Sequence, residues 1–204
     1  MSKRSLASCL SDMAILVPAR AGSKRIPGKN MRPVGGKPLL YWTLKPLHDL
    51  GFLNRTWVLT DYPEAARYAN AMGARVMVRP ARLADGPMES LVQWAVASPA
   101  VASFRHFLLL QPTSPLRDRT LIQLFLEHVI RQAPVACHSV YNGRDNGAFY
   151  YFTWDWFAST GLIRCPLAEP YHMLGDDSVD VDEYQDLIDA DAILRSRNVS
   201  STYH

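Results

Sequence analysis

Cysteine is scarce in this chain of 204 residues, which contains only Cys9, Cys137 and Cys165. Three cysteines without close pairing or metal-ligand spacing argue against a disulfide framework and a cysteine-based metal site, and they favour a reducing compartment. The sequence also lacks any apolar run near the ~20 residues that are needed to span a bilayer. These absences predict a cytoplasmic protein with no membrane partner.

A strong excess of charge is missing as well. Lys and Arg number 22 against 19 Asp and Glu, a net charge of +3, whereas nucleic-acid-binding domains are usually far more basic. The six histidines have no metal-ligand spacing, and the G-x-S-x-G motif of many serine hydrolases is absent. We therefore expect no nucleic-acid partner and no serine-hydrolase chemistry.

Apolar stretches typical of buried strands alternate with helical patterns along the chain. The predicted strands are residues 13–19, 57–60, 75–78, 107–110, 135–140 and 148–153. The predicted helices are residues 39–50, 63–72, 89–97, 121–132 and 183–195. Such alternation predicts an α/β fold of three layers, α/β/α, with a mainly parallel twisted sheet in the middle. We expect one domain at 13–200 after a flexible lead-in at 1–12, whose apolar run is too short for a signal peptide.

A basic loop follows the first predicted strand directly. Residues 20–30 contain two glycines among four cations: Gly22, Gly28, Arg20, Lys24, Arg25 and Lys29. Ligands of doubly wound folds bind beyond the carboxyl ends of the strands, where glycine admits backbone amides to phosphate oxygens and cations neutralise their charge. The spacing matches neither the Walker loop nor the dinucleotide motif. The loop therefore predicts a phosphate site of another kind, with a solvated basic surface as the alternative.

Two aspartates flank Val181 near the C-terminal end of the chain. In an extended segment Asp180 and Asp182 would project to the same side, because side chains alternate along a strand. Two carboxylates on one side suit Mg²⁺, which commonly binds one or two carboxylates together with substrate phosphates. A charged turn is the alternative, because Asp177 and Glu183 are close in sequence.

Four segments carry a family resemblance in their order along the chain. They are the Arg20-Ala21-Gly22-Ser23-Lys24 to Lys29-Asn30 loop, Arg79-Pro80-Ala81-Arg82-Leu83-Ala84, Gln111-Pro112-Thr113-Ser114-Pro115-Leu116-Arg117, and Asp180-Val181-Asp182. From about residue 13 to 195 the chain resembles the acylneuraminate cytidylyltransferases, or CMP-sialic acid synthetases. The resemblance implies a nucleotide-diphospho-sugar transferase-like fold. It also implies Mg²⁺-dependent transfer of CMP from CTP to a sialic-acid-like nonulosonic acid or another keto-sugar acid, with release of pyrophosphate.

The resemblance also implies roles for individual residues. Nucleotide binding would involve Arg20, Ser23, Lys24, Lys29, Asn30, Arg79 and Ser90, with Asn30 at the ribose and Arg79 and Ser90 at the base. The catalytic group would be Arg20, Lys29, Gln111 and Asp182, and the metal ligands Asp180 and Asp182. Gln111 and Arg144 would contact the sugar acid, whereas Arg117 is expected to be structural.

The segment that begins at Arg144 resembles the family's Arg-Pro-Asn-Gly-Ala, with Asp145 in place of proline. Its Asn146-Gly147 pair before an apolar run predicts a turn into a strand. Arg144 then has two interpretations: a bidentate contact to the substrate carboxylate, or a turn arginine in water.

One departure from the family limits what the resemblance implies. The family has a substantial segment before this strand, which helps to form the dimer and covers the sugar, but here Val140 is followed almost at once by Gly143 and Arg144. A homodimer would therefore have to form by another route. Two alternatives remain for the function: a cytidylyltransferase for a different, smaller acceptor, and a non-catalytic nucleotide-binding relative.

Overall fold

A computed structural model describes residues 11–201 of the chain. The strands are β1 (Met13–Pro18), β2 (Pro33–Val34), β3 (Lys37–Pro38), β4 (Thr56–Thr60), β5 (Arg75–Val78), β6 (His106–Leu109), β7 (Ala136–Tyr141), β8 (Arg144–Thr153) and β9 (Tyr171–His172). The helices are α1 (Tyr41–Asp49), α2 (Pro63–Met72), α3 (Met88–Val96), α4 (Arg119–Gln132), α5 (Trp154–Thr160) and α6 (Tyr184–Ser201). Within this range no helix combines the length and apolarity needed to cross a membrane.

Seven strands form a sheet in the order β5-β4-β1-β6-β8-β7-β9, whereas β2 and β3 form a separate small ribbon. Within this sheet β8 alone runs antiparallel to its neighbours. Helices α1, α2 and α4 pack on one face, and α3 and α5 pack on the other. The predicted α/β fold with three layers and a mainly parallel sheet is confirmed.

The sequence-based element boundaries are mostly close to the observed ones, and α2 and β5 have the predicted limits. Helix α5 was not predicted. It begins inside the aromatic run of residues 149–157, and the part of that run after the strand has no clear helical spacing. Thr153 caps this helix by accepting a hydrogen bond from the backbone N–H of Trp156 at 3.3 Å, and Gly161 ends it. Of the lead-in predicted at 1–12, residues 1–10 lie outside the described residues.

The turn predicted at Asn146-Gly147 is wrong. The chain reverses at Asn142 and Gly143, whose φ values of 50° and 73° belong to the left-handed region. Such a pair suits the two-residue turn that connects β7 to β8. Gly147, with φ 72°, lies inside β8 beside an irregularity in its pairing with β7. The sequence offers two Asn-Gly pairs, and the structure uses the first for the hairpin.

Arg117 lies buried where three elements meet. Its guanidinium donates hydrogen bonds to the carbonyl of Ala148 in β8 at 2.6 Å, to the carbonyl of Gln111 at 3.1 Å and to the hydroxyl of Thr43 in α1 at 3.0 Å. Burial lowers the pKa of Arg117 to about 9, so the side chain stays protonated at neutral pH. The expected structural role of Arg117 agrees with this geometry, which also fixes the start of the Gln111 loop.

Replacing Arg117 with Met should lower the free energy of unfolding by roughly 2–4 kcal/mol, because buried carbonyls lose a charged donor. Urea unfolding of the purified chain measures the change. Arg119→Met is the matched control, since Arg119 is exposed at the start of α4, and it should shift the free energy by less than about 0.5 kcal/mol. Equal effects of the two substitutions would contradict the assignment.

Candidate active site

An open cleft of about 410 Å³ contains residues from the loops that follow β1 and β6. Its lining residues are Pro18, Arg20, Ser23, Lys24, Arg25, Lys29, Asn30, Arg79, Gly86, Pro87, Met88, Leu91, Gln111, Pro112, Thr113 and Asp182. Eight of the predicted site residues therefore meet in one cleft. Ser90, Arg144 and Asp180 are not among the residues that line it.

The loop after β1 is held to the end of β4 and to itself by hydrogen bonds. The backbone N–H of Ala21 donates to a carboxylate oxygen of Asp61 at 2.8 Å. The side-chain amide of Asn30 donates to the carbonyl of Arg20 at 2.9 Å. Asn30 is only 5% exposed, so part of its hydrogen-bonding capacity shapes the loop rather than facing the cleft. These bonds fix the conformation from which the loop cations extend.

Val181 connects the C-terminal segment to two loops of the cleft. Its backbone N–H donates to the carbonyl of Thr113 at 2.7 Å, and its carbonyl accepts from the ammonium of Lys29 at 2.5 Å. Its side chain is fully buried in an apolar cluster with Ile26 and Leu116. Of the two flanking aspartates, Asp182 is exposed and lines the cleft, whereas Asp180 is partly buried and does not.

Asp180 has unusual surroundings for a carboxylate. It is largely buried, and this burial raises its pKa, which the neighbouring charge of Asp182 raises further. The side chain of Thr113 opposes this rise in pKa, while the Oδ1 atom of Asp180 is buried without a hydrogen bond of its own. Within residues 11–201, no group of three or more His, Cys, Asp and Glu side chains is arranged to hold a metal ion. Any cation bound by this pair would therefore need further oxygen ligands from a substrate or from water.

All four cations of the loop lie within 4 Å of a carboxylate. Asp182 lies 3.1 Å from Arg25 and 3.4 Å from Lys29. Asp85, an exposed residue between β5 and α3, lies 3.8 Å from Arg20 and 3.7 Å from Lys24. Five cationic side chains line the cleft against one lining carboxylate among the described residues, and this excess of positive charge favours anionic ligands.

The opposite wall is built around Arg79. This residue is buried, and its guanidinium donates to the carbonyls of Leu83 and Ala84. Burial lowers the pKa of Arg79, and the two carbonyls fix the turn that follows β5. Ser90 lies in the first turn of α3, behind Gly86: a Cβ atom at Gly86 would lie 4.0 Å from that of Ser90.

Three apolar residues complete this wall, and sequence reasoning missed them: Pro87, Met88 and Leu91. They form the start of α3 and offer a surface against which a planar ring could pack. Their spacing is that of any amphipathic helix, so no sequence pattern separates these positions from ordinary core residues.

Gln111 meets β8 at Gly147. A Cβ atom at Gly147 would lie 3.3 Å from the Oε1 atom of Gln111, so a larger residue there would crowd this side chain and push it aside. The Asp145 carboxylate accepts hydrogen bonds from the N–H of Gly147 at 3.0 Å, the Tyr150 hydroxyl at 2.8 Å and Arg164 at 2.7 Å. Asp145, at the family's proline position, thus fixes the irregular part of β8 beside Gln111.

Arg144 lies apart from Gln111 and the irregular part of β8. It is exposed at the start of β8 and is paired across the hairpin with Tyr141. Arg144 is not among the residues that line the cleft, and its contact to the substrate carboxylate stays a prediction. Arg164, which does reach the segment beside Gln111, was missed because its partner Asp145 is 19 residues away in sequence.

Known protein structures share the fold of this chain. A structure of CMP:2-keto-3-deoxy-manno-octonic acid synthetase complexed with CTP is similar, with a TM-score of 0.69, 15% identity, and coverage of 91% of this chain and 99% of that one. At this identity the likeness shows the fold alone.

Two curated relatives are more similar in sequence. The N-acylneuraminate cytidylyltransferase of Escherichia coli O18:K1:H7 (strain RS218 / NMEC) is 35% identical over 107 residues, which are 52% of this chain and 26% of that protein. The CMP-N,N'-diacetyllegionaminic acid synthase of Legionella pneumophila subsp. pneumophila is 35% identical over 117 residues, which are 55% of this chain and 50% of that protein. The chain thus spans about a quarter of the first relative and half of the second.

A family model described as cytidylyltransferase matches residues 14–148. The match covers more than half of the chain and includes the loop after β1, the Arg79 segment and the Gln111 loop. It confirms the resemblance carried by these motifs. The chain belongs to the cytidylyltransferase family.

Proposed function

We propose that this protein is a Mg²⁺-dependent nucleotidyltransferase that transfers CMP from CTP to a hydroxyl group of a sugar acid and releases pyrophosphate. The observation that carries the proposal is the meeting of the loop cations with Asp182 in one cleft of a cytidylyltransferase fold. The named relatives suggest the acceptor class, since their names refer to N-acylneuraminate and to N,N'-diacetyllegionaminic acid.

The triphosphate would lie along the loop after β1. Arg20, Lys24 and Lys29 would neutralise its charge, and Ser23 and backbone amides would add hydrogen bonds. Transfer of a phosphoryl-type group depends mainly on positioning and on neutralising charge. The 12% exposure of the Lys29 side chain supports a role close to the reacting phosphate, because charges act most strongly where water is partly excluded.

The nucleoside would extend toward the Arg79 wall. Pro87, Met88 and Leu91 would pack against the base, which Arg79 and Ser90 would help to select. The side-chain nitrogen of Asn30 is used in its hydrogen bond to the Arg20 carbonyl. Its side-chain oxygen would therefore be the atom that contributes to ribose binding.

Asp180 and Asp182 would hold the divalent cation. A bound cation would stabilise the charge of Asp180, which burial destabilises, and would provide a partner for its buried Oδ1 atom. When present, Mg²⁺ would supply further charge neutralisation on the phosphate oxygens. Lys29 would keep this pair in place through the Val181 carbonyl.

The acceptor would approach from the side of Gln111. Its hydroxyl oxygen would attack the α-phosphorus as pyrophosphate leaves, with Gln111 orienting the acceptor. The two-residue turn between β7 and β8 leaves this side without the segment that covers the sugar in the family. A sugar acid of another size, or a homodimer that completes the site by another route, is consistent with this opening.

Pyrophosphate release from CTP, UTP, ATP and GTP, each with nonulosonic, octulosonic and smaller hydroxy acids, tests the function. We expect release only with CTP and at least one acid acceptor, and it should stop when Mg²⁺ is chelated. Binding of CTP without turnover on any acceptor would instead support the non-catalytic alternative.

Asp182→Ala should reduce turnover by about 100-fold or more, because the metal pair and the contact to Lys29 are both lost. Pyrophosphate release under saturating CTP measures the effect. Asp189→Ala is the matched control, since Asp189 is exposed on α6, away from the cleft, and its carboxylate accepts a hydrogen bond from Gln185. Near-normal release by Asp182→Ala would contradict the metal assignment.

Gly147→Ala should displace Gln111 and reduce turnover by about tenfold or more, since small misplacements of positioning groups are costly. Gly143→Ala is the control: its φ of 73° matches the 72° of Gly147, but nothing lies within 4 Å of the added Cβ atom. Both variants should lose about 1 kcal/mol of stability through backbone strain. Equal turnover in the two variants would argue against a role for Gln111.

A further inference from the structure

We propose that Asp85 is a built-in counter-anion of the phosphate loop, which competes with bound polyphosphate for Arg20 and Lys24. The inference rests on the proposed function, because it assumes that these two cations bind phosphate. Asp85 is not among the residues that line the cleft. Its carboxylate nevertheless lies 3.8 Å from Arg20 and 3.7 Å from Lys24, at the rim.

The position of Asp85 is imposed by the turn that carries it. Arg79 donates to the carbonyls of Leu83 and Ala84, the two residues before Asp85. Arg20 donates to the carbonyl of Ala84 at 3.4 Å. A buried arginine and a cleft arginine therefore both hold the backbone next to Asp85, which keeps its carboxylate beside the loop cations.

Asp85 differs from the other carboxylate that pairs with the loop. Asp182 forms ion pairs with Arg25 and Lys29, and it also lies close enough to Asp180 for the two carboxylates to interact electrostatically. Within residues 11–201, the ion pairs of Asp85 are with the two cations Arg20 and Lys24. The Asp85 carboxylate thus occupies the kind of position that a phosphate oxygen would take beside two cations. No second carboxylate of the described residues pairs with these two cations, so the arrangement does not resemble the aspartate pair of the proposed metal site.

The strength of this competition follows from exposure. The Asp85 side chain is 70% exposed, and those of Arg20 and Lys24 are 42% and 78% exposed. Ion pairs in such surroundings are weak and salt-sensitive. Asp85 therefore tunes the affinity for polyphosphate without blocking the cleft, and its return to Arg20 and Lys24 favours the release of pyrophosphate after transfer.

Calorimetric titration of the full chain with CTP, inorganic tripolyphosphate and pyrophosphate tests the proposal. Asp85→Asn keeps the side-chain shape and removes the charge, so all three anions should bind roughly 2- to 10-fold tighter, the range expected for the loss of two exposed ion pairs. Asp85→Glu, which keeps the charge, should bind like the unaltered chain. Asp49→Asn is the matched control, since Asp49 pairs with Lys45 on α1, and it should leave the affinities unchanged.

Unchanged or weaker binding by Asp85→Asn would overturn the role of Asp85, and so would an equal gain in Asp49→Asn, which would show a general charge effect. If Asp85→Asn binds tripolyphosphate more tightly while CTP binds to no variant, the counter-anion role stands and the proposed function fails. If none of the three anions binds, both proposals fall.

Discussion

Val181 holds three parts of the cleft together. Its N–H bonds to the Gln111 loop through Thr113, its carbonyl accepts from Lys29 of the basic loop, and its side chain is buried in the apolar cluster beneath them. Burial of one valine side chain provides roughly 1.5–3 kcal/mol, and here it also fixes the register of the two aspartates. The proposed phosphate and metal sites are thus positioned by one residue whose side chain is buried in an apolar cluster.

Charge balance is the second constraint on the cleft. Cations gathered for a polyphosphate repel one another, and each lies beside a carboxylate from another segment: Asp182 in one pair of contacts and Asp85 in the other. The two carboxylates reduce that repulsion at different places. In our proposals one belongs to the metal site and the other acts as a competitor for phosphate, so the same arrangement serves stability, binding and release.

The fold was predictable from local patterns in the sequence, and the family resemblance named most of the residues that meet in the cleft. Buried strands appear as apolar runs, and the parallel sheet brings the loops after β1 and β6 to the same edge. Contacts between distant segments were not predictable: Arg164 with Asp145, or Asp85 with Arg20, leave no local pattern. The two Asn-Gly pairs were locally equivalent, and only the pairing of β7 with β8 decides which one forms the turn.

A crystal structure of the chain with CTP and Mg²⁺ tests the central claim most directly. Our account predicts the triphosphate along residues 20–30, the α-phosphate between Lys29 and Asp182, and the base against the wall formed by Met88 and Leu91. A triphosphate bound outside this loop, or a base lying against the loop cations, would contradict it.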